Sequence, residues 1–220
     1  MNRSEGADPA IKILRKRTET NDLEYRFVME SLAKWANPRA KLTRLLEAGA
    51  LIRVTKGLYI FAPLFRKTPL SLPMIANKIY GPSYVSLEWA LAYYGLIPEG
   101  VVEVTSVTIK SSKIYKTPLG CFSYAHLHPK AYSLGITLVQ QGNQGMALLA
   151  TAEKALTDEL VLRRGKVQSQ KVIKEILLED LRIEEKDLTK LKVDQIRAIY
   201  DAHPHSAIQH LITFLERLSS

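Results

Sequence analysis

The chain of 220 residues carries one cysteine, Cys121, so no internal disulfide is open to it. No apolar run approaches the roughly 18 residues of a membrane-spanning helix. The opening stretch MNRSEGADPAIKILRKR has no apolar core of signal-peptide length. Internal repeats and low-complexity tracts are missing as well. These absences lead to the expectation of a cytoplasmic protein that does not engage a membrane.

Other absences narrow the chemistry. No Gly-Ser turn is followed by the Asp-x-Asp pair with which a nucleotidyltransferase holds magnesium. The Glu-x-Lys of restriction-type nucleases occurs only as Glu184-Glu185-Lys186, in a stretch that reads as helix rather than strand. A phosphate loop and a nucleophile elbow are both lacking. His126 and His128 form one pair, and His203 and His205 another with His210 nearby. Zinc needs three or four ligands, and nothing in the spacing brings the two groups together. No metal and no cofactor is therefore expected. Cys121 has no base close in sequence and reads as a small hydrophobe. The expectation is that the chain is not an enzyme; an unrecognised activity within residues 67–165 is the contrary reading.

What the chain does hold is ordinary in bulk, with 46% apolar and 24% charged residues. Its length suits one large domain or two small ones. The charge is unevenly placed. Of 31 basic and 22 acidic residues, the first 30 positions hold six of each. Residues 31–66 hold seven basic residues and one acid, Glu47, a local net of +6 out of +9. Such a patch attracts phosphate and releases counterions on binding. A solvated basic surface without a partner is the plainer alternative.

The apolar spacing predicts a short helix over 10–18 and a second over Asp22–Ala36, with Leu23, Phe27, Val28, Leu32 and Trp35 on one side. Asn37-Pro38 then reads as an N-cap followed by proline in the first turn. The third helix carries Leu42, Leu45 and Leu46 and stops at Gly49. Strands Leu51–Val54 and Leu58–Phe61 follow, turning at Lys56-Gly57. The segment PLFRKTPLSLP (63–73) reads as a linker, which divides the chain into 1–66 and 67–220. Beyond it come a helix over 86–96, a strand over 101–109, a hairpin over 113–127, a strand over 136–141 and a helix over 151–164. The tail, about 166–220, reads as helical throughout, with Ser206 and Gln209 spaced as a capping box. The fold class expected is α+β: an N-terminal winged helix-turn-helix, then a mixed α/β domain with a helical tail.

In a winged helix-turn-helix the third helix enters the major groove and the hairpin lies along the backbone. With Leu42 facing the core, 100° per residue points Arg44 and Ala40 outward and puts Thr43 and Lys41 at the sides. Arg39 lies in the first turn. Arg44 is the first candidate for a base or phosphate contact, then Lys41 and Arg39, with Thr43 beside them. Arg53 and Lys56 on the hairpin are candidates for phosphate. A winged helix used for protein contacts is the alternative reading.

Four stretches carry a family resemblance. PSYVSLEWALAYYGLIPE (82–99), VVEVTSVTIKSSKIYKTPLGCFSYAHLHP (101–129), ATAEKALTDEL (150–160) and GALIRVTKGLYIF (49–61) resemble, in order, characteristic pieces of the AbiEi family. These are abortive-infection antitoxins and predicted transcriptional regulators of phage defence. The resemblance covers about residues 25–165; the polar lead over residues 1–20 departs from it. It implies a winged helix followed by an antitoxin domain, autorepression at an operator of inverted repeats in double-stranded DNA, and a nucleotidyltransferase toxin encoded next door. It also admits a solitary regulator without a toxin. A two-fold operator suits a homodimer, with the tail helices as one candidate surface.

Overall fold

The computed structural model describes residues 8–98, 100–163 and 167–218, so the start of the polar lead and Arg164 lie outside the described residues. The fold is α+β. The chain begins with α1 (Pro9–Arg17), β1 (Asp22–Glu24), α2 (Tyr25–Ser31), α3 (Pro38–Glu47) and the strands β2 (Leu51–Thr55) and β3 (Leu58–Phe61). Where the periodicity predicts one helix from Asp22, the first three residues are instead a strand. β1 pairs antiparallel with β3, giving a three-stranded sheet of order β1-β3-β2. Leu23 fits both readings, because it is buried either way.

The chain continues with α4 (Leu72–Ile79), β4 (Ser83–Val85), α5 (Leu87–Tyr93), β5 (Val104–Thr108), β6 (Lys113–Thr117), β7 (Gly120–His126), α6 (Pro129–Tyr132), β8 (Ile136–Gln140), β9 (Met146–Ala150) and α7 (Ala152–Leu162). The strands form a six-stranded mixed sheet, order β6-β7-β5-β4-β9-β8. Its parallel pairs are β4 with β9 and β5 with β7. The tail is not one continuous helical run. It folds as α8 (Gln170–Glu175), a wide turn over Ile176–Asp180, α9 (Glu185–Leu188), α10 (Val193–Ala202) and α11 (Ser206–Leu218).

One face of the large sheet packs Tyr84, Val107 and Ala150 under α5, α7 and the tail helices. The other face packs Val85, Val104, Phe122 and Leu149 under α4. That second layer also takes in Val54, Leu58 and Ile60 from the N-terminal hairpin. Tyr59 and Phe61, which alternate with them, fill the N-terminal core with Leu14, Val28 and Leu45. β3 is thus buried on both faces, and the two parts of the chain share an apolar layer. The proline-rich segment between them is held in place: buried Asn21 donates to the Thr68 carbonyl at 2.8 Å and accepts from Arg15 at 2.8 Å. Lys67 pairs with Glu19 at 2.8 Å.

The ATAEKALTDEL stretch has a structural meaning. Thr151 caps α7, accepting from the Lys154 N–H at 3.2 Å. Glu153 accepts from the Lys192 N–H at 3.1 Å and so ties α7 to the start of α10. Lys154 and Asp158 are one turn apart and almost wholly buried, with side chains 1% and 2% exposed. Their Nζ–Oδ1 distance is 2.7 Å. The other Asp158 oxygen accepts from the hydroxyls of Tyr84 at 2.9 Å and Ser86 at 2.8 Å, and Lys154 also donates to the Ala131 carbonyl. Burial pushes the Asp158 carboxyl up; the ammonium and the two hydroxyls act against it. Gly135 permits the approach: its φ is +73°, and a Cβ there would stand 2.7 Å from the Lys154 Cβ.

The tail brings together histidines that the spacing leaves apart. The rings of His128 and His203 stack with centroids 5.7 Å apart, and His205 lies 6.4 Å beyond His203. The His128 and His203 rings lie in nearly parallel, offset planes, and the His205 ring is tilted by 29° from that of His203. His128 Nδ1 accepts from the Lys130 N–H at 3.3 Å, and His205 Nδ1 from the Ala207 N–H at 3.2 Å. His205, not Ser206, therefore caps α11.

Two predictions follow from these contacts. Lys154→Met, which leaves an unpaired buried carboxylate, should cost about 3–5 kcal/mol in denaturant unfolding. Adding Asp158→Asn should recover part of that, because the amide oxygen still accepts from Tyr84 and Ser86. Burial, reinforced by His128, His205, Lys154 and Lys130, holds His203 below its ordinary value. Between that lowered value and about 6.5 the unfolded chain binds more protons, so stability falls as pH drops through this window. Thermal melts across the window should show this slope, and His203→Gln should flatten it.

Candidate nucleic-acid interface

The third helix is built as its sequence requires. Asn37 Oδ1 accepts from the Ala40 N–H at 3.0 Å, Pro38 occupies the first turn, and Leu42 and Leu45 are buried. On the opposite side Arg39, Thr43 and Arg44 are exposed. Thr43 turns its hydroxyl back to the Arg39 carbonyl at 3.1 Å. Among the described residues no carboxylate pairs with Arg39 or Arg44.

Lys41 is placed differently from its neighbours. Its ammonium lies 2.6 Å from Asp8 Oδ2, and its side chain is only 16% exposed. Asp8 also caps α1, accepting from the Ala10 N–H at 2.9 Å. Burial acts to raise the Asp8 carboxyl, but the Lys41 hydrogen bond, the Ala10 N–H and the Lys41 charge together bring it below the ordinary value. Lys41 therefore ties α3 to α1, and its charge is already answered within the chain.

The hairpin turns at Lys56-Gly57, where Gly57 has a φ of +89° that only glycine adopts without strain. Arg53 and Lys56 are exposed. The β2–β3 register slips between Arg53 and Thr55, leaving Val54 as an extra residue in β2. Such a bulge bends and twists a strand. It lets Val54 enter the shared core while Arg53 and Lys56 stay in solvent.

Tyr25 is the residue that the sequence reading passes over. As the first residue of α2 it donates its N–H to the Gly57 carbonyl at 2.8 Å, and its phenol oxygen accepts from Arg39 Nε at 3.1 Å. One residue, through its backbone N–H and its phenol oxygen, thus fixes the start of α3 against the hairpin tip. A helix drawn from Asp22 puts Tyr25 inside its first turn rather than at its start, and hides this role. A shallow hollow beside it is lined by Tyr25, Arg26, Lys56 and Lys78, with Glu24 among them. Lys78 is held by Asp22 and Glu24.

A second cationic ledge lies on the large sheet. The Lys113 ammonium sits 4.9 Å from the Tyr115 ring centroid and 5.6 Å from that of Tyr80. The Lys110 ammonium is 5.3 Å from Tyr80. Ammonium groups over tyrosine faces are held without losing their charge to an acid.

The buried polar groups offer no comparable access. Lys154 and Asp158 are closed off from solvent. Burial, with Glu103 beside it, pushes the Cys121 thiol up and away from thiolate chemistry. No family model matches this chain, and no curated protein matches it by sequence.

Proposed function

We propose that the chain binds double-stranded DNA through a winged helix-turn-helix formed by residues 9–61, and that it acts as a transcriptional regulator of its own operon. The observation that carries this reading is the placement of Arg39, Arg44, Arg53 and Lys56, exposed on two adjoining elements that Tyr25 locks together. A duplex offers α3 a groove of matching width, and the hairpin tip then falls beside the phosphates. Lys41 is assigned a structural part, and Lys110 and Lys113 an accessory one along the flanking backbone.

The antitoxin role rests on the AbiEi resemblance of four ordered stretches. On that reading residues 67–220 counter a nucleotidyltransferase toxin encoded beside this gene, and this chain performs no catalysis itself. The buried Lys154–Asp158 pair supports that division, since it accounts for the ATAEKALTDEL stretch as architecture.

Substitutions separate these roles. Arg44→Ala should weaken binding to the preferred duplex and relax sequence preference, while Lys56→Ala should lower the slope of log K against log salt by about one unit. Titrations by fluorescence anisotropy at several salt concentrations read both; unchanged affinity in both variants would sink the DNA reading. Lys41→Ala should do the reverse of Arg44→Ala: a clear drop in melting temperature with a smaller loss of affinity. A Lys41→Ala chain as stable as the parent but unable to bind would return Lys41 to the interface.

A further inference from the structure

The large sheet has two edges, and they are treated differently. The β6 edge carries Lys113 and Lys116, the usual guard against edge-to-edge pairing. The β8 edge, Ile136-Thr137-Leu138-Val139-Gln140, has no charge, no proline and no bulge. It lies within the longest charge-free run of the chain, residues 131–152.

The register shows which backbone groups of β8 are open. Gly135 accepts from the Thr151 N–H, and Gln141 donates to the Gly145 carbonyl. Odd-numbered residues of β8 therefore face β9, because bonding sides alternate along a strand. Ile136, Leu138 and Gln140 turn their N–H and C=O groups to the free edge. Their side chains share a face with Met146 and Leu148, which sit opposite Gln140 and Leu138. Leu138 is 58% exposed, Met146 45% and Leu148 39%. This is an apolar face beside an unguarded edge.

We propose that β8 pairs antiparallel with β8 of a second copy of this chain, about a two-fold axis at Leu138. In that register Leu138 meets Leu138, and Ile136 meets Gln140. Each outward N–H then finds an outward C=O, so the edge is complementary to itself. Because residues 131–152 carry no charge, two copies of a chain of net +9 meet there without like charges face to face. The two Leu138 side chains then meet on the axis, with Leu148 beside each on β9, and the two sheets become one. The dimer fits a two-fold operator but does not depend on DNA binding, and it is tested without DNA.

Sedimentation velocity on the full chain, from micromolar to sub-millimolar concentration, reads the mass directly. The parent should reach the dimer mass. Leu138→Lys places two ammonium groups on the axis and should give the monomer. Gln140→Pro removes an N–H that bonds nothing within one copy, so the fold tolerates it; it too should give the monomer, with an unaltered circular dichroism melt. If either variant fails to fold, the other decides. A parent that is monomeric throughout would overturn the proposal and leave the patch to a different protein. A dimer that survives in a folded variant would overturn it in favour of another surface, such as the tail helices.

Discussion

β3 has no solvent face. Leu58 and Ile60 lie in the layer shared with α4 and the large sheet, while Tyr59 and Phe61 lie in the N-terminal core. Fully burying a large aliphatic or aromatic side chain contributes about 1.5–3 kcal/mol, and β3 does this in both directions at once. Moving the hairpin away from the large sheet would expose Leu58, Ile60, Val54 and Met74 together. No surface ion pair, at about 0–1 kcal/mol, competes with that. The hairpin is therefore fixed relative to α4, and its cationic tip is presented from a rigid base.

That constraint gives the proposed interface its geometry. Tyr25 can bridge Gly57 and Arg39 only because β1 starts α2 beside the hairpin tip. The Val54 bulge reconciles a strand that must bury one side chain with neighbours that must stay charged and wet. Lys41 shows the complementary use of a cation: half-buried against Asp8, it joins two helices. The same chain thus spends some of its basic residues on internal pairs and leaves Arg39, Arg44, Arg53 and Lys56 without an acid among the described residues.

Much of the architecture was legible in the sequence, where local chemistry dominates. Asn37-Pro38 marks the start of α3 because an N-cap and a first-turn proline are local signals, and Gly57 marks the hairpin because the turn needs positive φ. The exposure of Arg39, Thr43, Arg44, Arg53 and Lys56 follows from helical and strand periodicity. Long-range pairing was not legible. β1 looks like the first turn of a helix until β3 is beside it. α4 has no sequence signal beyond its first two residues, which fall in the stretch that reads as a linker, because its partner layer lies across the fold. β9, with Ala147, Leu149 and Ala150 buried, has no alternation to announce it. Lys41 could not be told from Arg44 by spacing alone, since the difference is an aspartate 33 positions away. The histidine stack likewise joins the residue that caps α6 to two in the tail, and no spacing rule connects them.

The central claim is sequence-selective DNA binding by the N-terminal unit. It is tested most directly by titrating the purified chain, at near-physiological salt, against the duplex upstream of its own gene and against a scrambled duplex of equal length. The account predicts tight binding to the upstream duplex alone, lost on Arg44→Ala. Equal, weak binding to both duplexes, unchanged by that substitution, would contradict it.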